Sequence, residues 1–345
     1  MRCFTLTLFA GCFILTATAQ KNQPVKIIRS ATENKIDIQI GGKLFTSFLY
    51  PDSLEKPVLY PVNTAGGTAV TRGFPLNPQP GDPTDHPHHI GIWFNFENVN
   101  GLDFWNNSYA IPANKKSQYG WIKTDKITEA ASGATGTLAY HANWVNIHNK
   151  TLAQENTRFV FSGTAHRRII DRITTITADT VLLFTDAKDG LFAIRVAHAL
   201  QIPTDKDQKF TDDKGNVTIV KGGADKIPNG NYLSSEGKIG DSVWSTRGRW
   251  CKMFGKLGND SVSIVIMDHP QNPNYPTYWH ARGYGLFAAN PLGEKIFSNG
   301  VKTKNLQLQK GESVTFRYRV VVEDGKGTIA VSEMNKLADA FAGLK

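Results

Sequence analysis

Apolar and polar positions alternate along most of the chain, in short runs bounded by Gly, Asn, Asp or Pro. Examples are KIDIQI (35–40), KLFTSFLY (43–50), IGIWFNF (90–96), SVSIVIMD (261–268) and ESVTFRYRVVVE (312–323). A period of two places successive side chains on opposite faces of a strand, so this recurrence predicts a large antiparallel β protein. In the last run Val314, Phe316, Tyr318, Val320 and Val322 share one face, while Thr315, Arg317 and Arg319 take the other. One face is expected to pack and the other to be wet. Helical spacing stands out in one segment, Thr328 to Ala342, with Thr328 as N-cap and Val331, Met334, Leu337 or Ala338, and Phe341 on one side. No low-complexity linker divides the chain. The fold class is therefore all-β, a single antiparallel β-sandwich over residues 20–345 with a C-terminal helix.

Residues 1–19, MRCFTLTLFAGCFILTATA, break the pattern with one early cation, an apolar run and a small-residue end. They read as a secretory signal peptide cleaved near Ala19, which predicts an exported protein, periplasmic or secreted. No later stretch reaches the roughly 18 to 20 continuous apolar residues of a membrane helix. Of Cys3, Cys12 and Cys251, cleavage leaves only Cys251, so no internal disulfide forms and burial alone must hold the fold.

Charge adds little. The 39 Lys and Arg exceed the 30 Asp and Glu, but the cations are scattered, without the stripe or recognition motif a nucleic-acid partner requires. There is also no G-x-G-x-x-G, P-loop, G-x-S-x-G or cysteine pair.

Chemistry concentrates in two segments. DPTDHPHHIGIWF (82–94) holds His86, His88 and His89 around Pro87. If it is extended, as Pro87 favours, His86 and His88 point the same way, an H-x-H spacing that a divalent metal can use, and His89 points opposite. The chain then returns through a turn at 99–101 to Asp103 and Trp105, near Trp93. Flat aromatics beside Asp, Asn and His suit a sugar, whose C–H face stacks while its hydroxyls take polar partners.

The second segment, DHPQNPNYPTYWHARGYGLFAANP (268–291), reads as an ordered, proline-rich functional loop carrying Asp268, His269, Tyr278, Trp279, His280 and Arg282. His269 or His280 meeting His86 and His88 would supply an acid/base pair or a third metal ligand. Arg195, between Ala193 and Ala197, has room to reach a carboxylate or hydroxyl, and Arg72 ends a strand shortly before the histidines.

Taken together, VTRGFP, GDPTDHPHHIGIWF, VNGLDFW, GLFAIRVA and the 268–291 segment resemble the bacterial family labelled "methane oxygenase PmoA", a domain of unknown function. The resemblance spans nearly all of the chain after its leader. Ile90 departs from it, standing where a basic residue is expected after the histidine pair. Methane oxidation does not follow, because the membrane subunit of that oxygenase is built of transmembrane helices. The resemblance implies a galactose-mutarotase-like supersandwich and carbohydrate chemistry.

The expectation is an exported enzyme acting on a sugar or glycan fragment by epimerisation or elimination. His88, His89, His280 and His269 are its candidate acid/base groups. Arg72, Asp103, Arg195 and Arg282 would bind oxygens, and Trp93, Trp105 and Trp279 would stack. No cofactor is required. The alternatives are a metal-dependent oxygenase or hydrolase with His86 and His88 as ligands, and a non-catalytic glycan-binding protein.

Overall fold

The computed structural model describes residues 21–211, 217–220 and 226–344. The expected leader, residues 1–19, lies outside them.

Among the described residues twenty strands follow one another: β1 Val25–Arg29, β2 Lys35–Ile40, β3 Lys43–Leu49, β4 Val58–Val62, β5 Ile92–Phe96, β6 Trp121–Ala131, β7 Gly136–Val145, β8 Thr151–Gly163, β9 Arg167–Ala178 and β10 Leu182–Phe184. They continue as β11 Gly190–Arg195, β12 Gln208–Thr211, β13 Val217–Val220, β14 Asn231–Ser234, β15 Trp250–Leu257, β16 Asp260–Asp268, β17 Tyr278–Ala281, β18 Leu286–Asn290, β19 Leu306–Leu308 and β20 Ser313–Gly325. Two eight-stranded sheets, ordered β1-β2-β3-β4-β5-β11-β18-β17 and β14-β15-β16-β20-β9-β8-β7-β6, make a mostly antiparallel sandwich. The sequence fold class holds.

Between the sheets lies one apolar core, in which Phe94, Phe192 and Phe287 of the first sheet face Phe159, Phe316 and Tyr318 of the second. Phe192 and Tyr318 stack at 4.9 Å, joining the layers. Alternation on β20 is as read from the sequence: Phe316, Tyr318, Val320 and Val322 enter this core. Its other face is only partly wet, because the C-terminal helix Val331–Ala342 covers Val321 with Met334, Ala338 and Phe341.

Three sequence expectations need correction. Thr328 does not cap the helix: Ala330 is the N-cap and no side chain bonds there, while Lys252 Nζ donates to Thr328 Oγ1 at 3.3 Å. Val331 is 47 % exposed and stands off the packed stripe. The 268–291 segment is no single loop. Its prolines at 270, 273 and 276 confine the long irregular part to 269–277, and the apolar stretches beyond form β17 and β18, which pair Tyr278 with Asn290 and Ala281 with Phe287.

The first sheet has a second buried face, and it positions the site. Because successive residues alternate, Trp93 on β5, Ala193 and Arg195 on β11, Ala288 on β18 and His280 on β17 point away from the inter-sheet core. Strand register sets His280, Ala288, Ala193 and Trp93 in one row across four strands. Trp93, Trp105, Ala193, Leu286 and Ala288 form a separate apolar cluster on this face.

Candidate functional site

The histidine segment turns sharply instead of extending. His86 adopts φ +47°, Pro87 takes the second position of the turn, and the His89 N–H donates to His86 O at 3.0 Å. His86 and His88 therefore do not project side by side with His89 reversed. All three rings gather: His86 stacks on His89 at 4.8 Å, and His88 meets His89 edge-on at 4.3 Å.

Arg72 fastens this turn. Its guanidinium donates to the carbonyls of Pro83, Asp85, His86 and His89 at 2.7–3.2 Å, and to Asp85 Oδ1 at 3.2 Å. Arg195 grips the same carboxylate through Nη2 at 2.9 and 3.0 Å. Asp85 is thus a buried keystone between two buried arginines, and its remaining capacity goes to His86 Nδ1. Burial opposes its charge, but Arg195, the His86 hydrogen bond and Arg72 outweigh it and hold the carboxyl far below the usual carboxylate range.

Arg195 Nη1 also lies 3.2 Å from His89 Nδ1. A guanidinium only donates, so His89 Nδ1 accepts and the ring is neutral. Burial, reinforced by the neighbouring His88, His86 and arginine charges, pushes His89 well below the ordinary imidazole value. His88 is pushed down likewise, by burial and then by Lys56. Lys56, buried and lowered to about 8 by that burial, donates to His88 O at 2.8 Å.

Four rings form a column from the apolar cluster to solvent. Trp93 stacks on His89 at 5.1 Å, His89 on His86 at 4.8 Å, and His86 on Tyr284 at 5.3 Å. His86 is the exposed member of the histidine trio, its side chain 42 % accessible. With Nδ1 bound to Asp85, its Nε2 is the nitrogen left for a ligand.

His86 and Tyr284 form part of the wall of a cavity of about 500 Å³, with Asp85, Asp241, Trp244 and Arg282. Arg282 lies over the Trp244 ring at 4.6 Å, and Trp244 in turn packs edge-on against His280 at 4.8 Å. His280 thus sits behind the cavity wall, three strands and ~14 Å along the row from Trp93. Its Nδ1 is 3.6 Å from Asp189 Oδ1. Burial drives His280 down to about 3 and Asp189 up to about 6. An ion pair would have moved both the opposite way, so burial governs and His280 is neutral.

The other sequence candidates fall elsewhere. His269 lies at the second sheet, where Nε2 bonds Leu344 O at 3.1 Å and the ring meets Phe341; it clamps the C-terminal helix and does not join the other histidines. Trp279, next to His280 on β17, points the opposite way into the inter-sheet core, so it offers no stacking face to a ligand. Trp93 and Trp105 are buried beneath His89 and support the column. Asp103 binds Asn106 and lines a separate depression of about 580 Å³ with Glu97, Gln118 and Lys188. Ile90 is buried in the apolar cluster, and its side chain brings no charge to this position. Among the described residues, no three His, Cys, Asp or Glu side chains converge as metal ligands, and no helix is long and apolar enough to cross a membrane.

Sequence reasoning passed over Asp85, Lys56, Tyr284, Trp244 and Asp241. Asp85 carried a signal, a carboxylate directly before the first histidine. Trp244 and Asp241, in GDSVWSTR, carried none.

Residues 35–339 match a family described as "Family of unknown function (DUF6807)". Among curated proteins none matches the chain. Of solved structures, a galactose mutarotase-like protein from Clostridium acetobutylicum is 9 % identical with a TM-score of 0.36, over 88 % of this chain and 100 % of that one. A second galactose mutarotase-like protein, from Lactobacillus casei, is 9 % identical with a TM-score of 0.34, over 87 % and 100 %. A β-arabinopyranosidase is 11 % identical with a TM-score of 0.31, over 89 % of this chain and 39 % of that one.

Proposed function

The chain belongs to the DUF6807 family of unknown function, and from its site we propose that it is an exported enzyme that binds a sugar or glycan fragment in the His86 cavity and acts on it by proton transfer. The observation that carries this reading is the state of His86. A half-exposed imidazole faces a cavity of small-ligand size, its Nδ1 tied to a carboxylate that two arginines hold in place. Such a pair fixes the tautomer and orientation of the ring and stabilises the imidazolium formed when Nε2 takes a proton.

The surrounding groups suit a polyol. Trp244 offers an aromatic edge and face, while Asp241, Arg282 and Tyr284 offer hydrogen-bonding groups to hydroxyls. Burial raises Tyr284 to about 12, so its hydroxyl stays protonated and can donate. His88 and His89, both buried and neutral, act through His86 by fixing the turn and the ring beneath it. Epimerisation and elimination both need a proton moved at a defined atom and call for no cofactor.

Turnover followed by NMR over a panel of sugars and glycan fragments tests the reading. The wild type should convert at least one ligand, and His86→Gln should lose that turnover with the fold retained. Binding without conversion across the panel would favour a glycan-binding role instead. N-terminal sequencing of the mature protein tests cleavage after Ala19.

A further inference from the structure

The cavity carries an uncompensated cation. Arg282 is exposed at its wall, its guanidinium carbon 4.6 Å from the Trp244 ring centroid and 6.0 Å from that of Tyr284, and among the described residues no carboxylate lies within ion-pair distance of it. Every other arginine drawn into this site already has a carboxylate, since Arg72 and Arg195 share Asp85. The balance around the cavity is positive. Of the lining, Lys209 and Arg282 stand against Asp241 alone, because the other lining carboxylate, Asp85, is already shared by Arg72 and Arg195 buried behind the wall. An unpaired guanidinium resting against an aromatic ring is restrained there, and its fork of donors suits a planar, bidentate anion.

From this we infer that the ligand is an acidic sugar, a uronate residue whose carboxylate pairs with Arg282 while its ring packs toward Trp244. The inference rests on the reading of the cavity as a sugar site and names the substrate class. It also supplies what proton transfer at carbon lacks. A sugar C–H is not acidic by itself, but the C5–H of a uronate stands next to a carboxylate. When Arg282 neutralises that carboxylate, the C5 proton passes to His86 Nε2 and the electron pair of the C–H bond spreads onto the carboxylate. Delivery of a solvent proton to the opposite face inverts C5, and His86 gives up the first proton to water; in elimination the C4–O bond breaks instead, its oxygen leaves as an alcohol with the proton from His86 Nε2, and a C4–C5 double bond remains. Asp241, the acidic group of the cavity without an arginine partner, is left to accept sugar hydroxyls.

Calorimetric titration of the full chain separates the alternatives, using uronate-containing di- to tetrasaccharides and the same oligosaccharides with their carboxyls reduced to alcohols. The uronates should bind at least 10-fold more tightly than their reduced counterparts. Arg282→Gln should weaken uronate binding at least 10-fold, and by at least 5-fold more than it weakens binding of the reduced ligands, which lose only a hydrogen bond to a hydroxyl. Equal affinity for both forms, or uronate binding unchanged in R282Q, would overturn the acidic-sugar inference while leaving a neutral-sugar site standing. Failure of every oligosaccharide, charged or reduced, to bind would remove both.

Discussion

His86 lies face to face with His89, 4.8 Å between ring centroids and 4° between planes, yet the two rings live in different media. His89 is 2 % exposed and fixed as an acceptor by Arg195, whereas His86 opens to the cavity. The buried ring and the paired carboxylate together hold the exposed ring in one orientation. Asp85 is the group on which both depend, because it binds Arg72, Arg195 and His86 at once.

Asp85→Asn removes the charge that balances two buried guanidiniums. An uncompensated buried charge costs about 3–5 kcal/mol, so the urea midpoint should fall by a corresponding amount with the slope of the transition unchanged. Turnover should vanish with it, since His86 loses its anchor. A midpoint equal to wild type would mean that water, not Asp85, balances these arginines.

Gly91 connects the histidine turn to β5 and has φ +56°. A Cβ there would stand 2.1 Å from Leu59 O and 2.9 Å from Tyr60 Cβ, so the backbone of β4 or of the turn must move. Because Arg195 N also donates to Gly91 O, that displacement reaches the Arg195–Asp85 pair. Gly91→Ala should cost about 3–5 kcal/mol through strain and overpacking, read as a lowered melting temperature. A variant within 2 °C of wild type would show that the turn yields freely.

The sandwich was legible because its signal is local and repeated. Val314 to Val322 alternate wherever they are read, and both faces of that strand can be assigned from period alone. Arg72 and Arg195, singled out for their neighbours, do reach the histidine segment. What stayed hidden depends on backbone conformation and on contacts distant in sequence. His86 takes a left-handed φ that propensity does not favour, and the turn brings the three rings together instead of setting His89 opposite the other two. His280 and Trp279 are adjacent residues on one strand, so pairing them in a single site violated the period of two. Trp244 meets Arg282 only through the fold, and nothing around GDSVW marks it.

Acid should destabilise the protein partly through His280. In the unfolded chain an imidazole titrates near 6.5, whereas burial holds His280 at about 3. The folded value is the lower one, so the unfolded state binds the extra proton between those limits and stability falls as pH drops below about 6.5. At pH 5 this group alone accounts for about 2 kcal/mol. His88 and His89 act in the same direction, while Asp189 and Asp268, raised by burial to about 6 and about 7, act in the other. Denaturation of wild type and His280→Gln at pH 7.5 and pH 5 isolates the effect of His280. The variant should lose about 2 kcal/mol less across that interval, and should do so in an Asp189→Asn background as well. Equal losses would mean that His280 is protonated in the native state.

Trp244 should report ligand binding directly. Trp93, Trp105, Trp144, Trp250 and Trp279 are at most 1 % exposed, and Trp121 lies on β6 at the far edge of the second sheet. Trp244 is half-buried in the cavity wall between Arg282 and His280. A sugar entering the cavity should therefore change tryptophan emission, and Trp244→Phe should abolish that change. Phe keeps an aromatic face but gives a smaller surface for both the sugar and Arg282, so affinity should fall about 3- to 10-fold, near 1 kcal/mol. Binding measured by calorimetry in the variant separates loss of the signal from loss of the ligand. An emission change that persists in Trp244→Phe would place the ligand outside this cavity, beside another tryptophan.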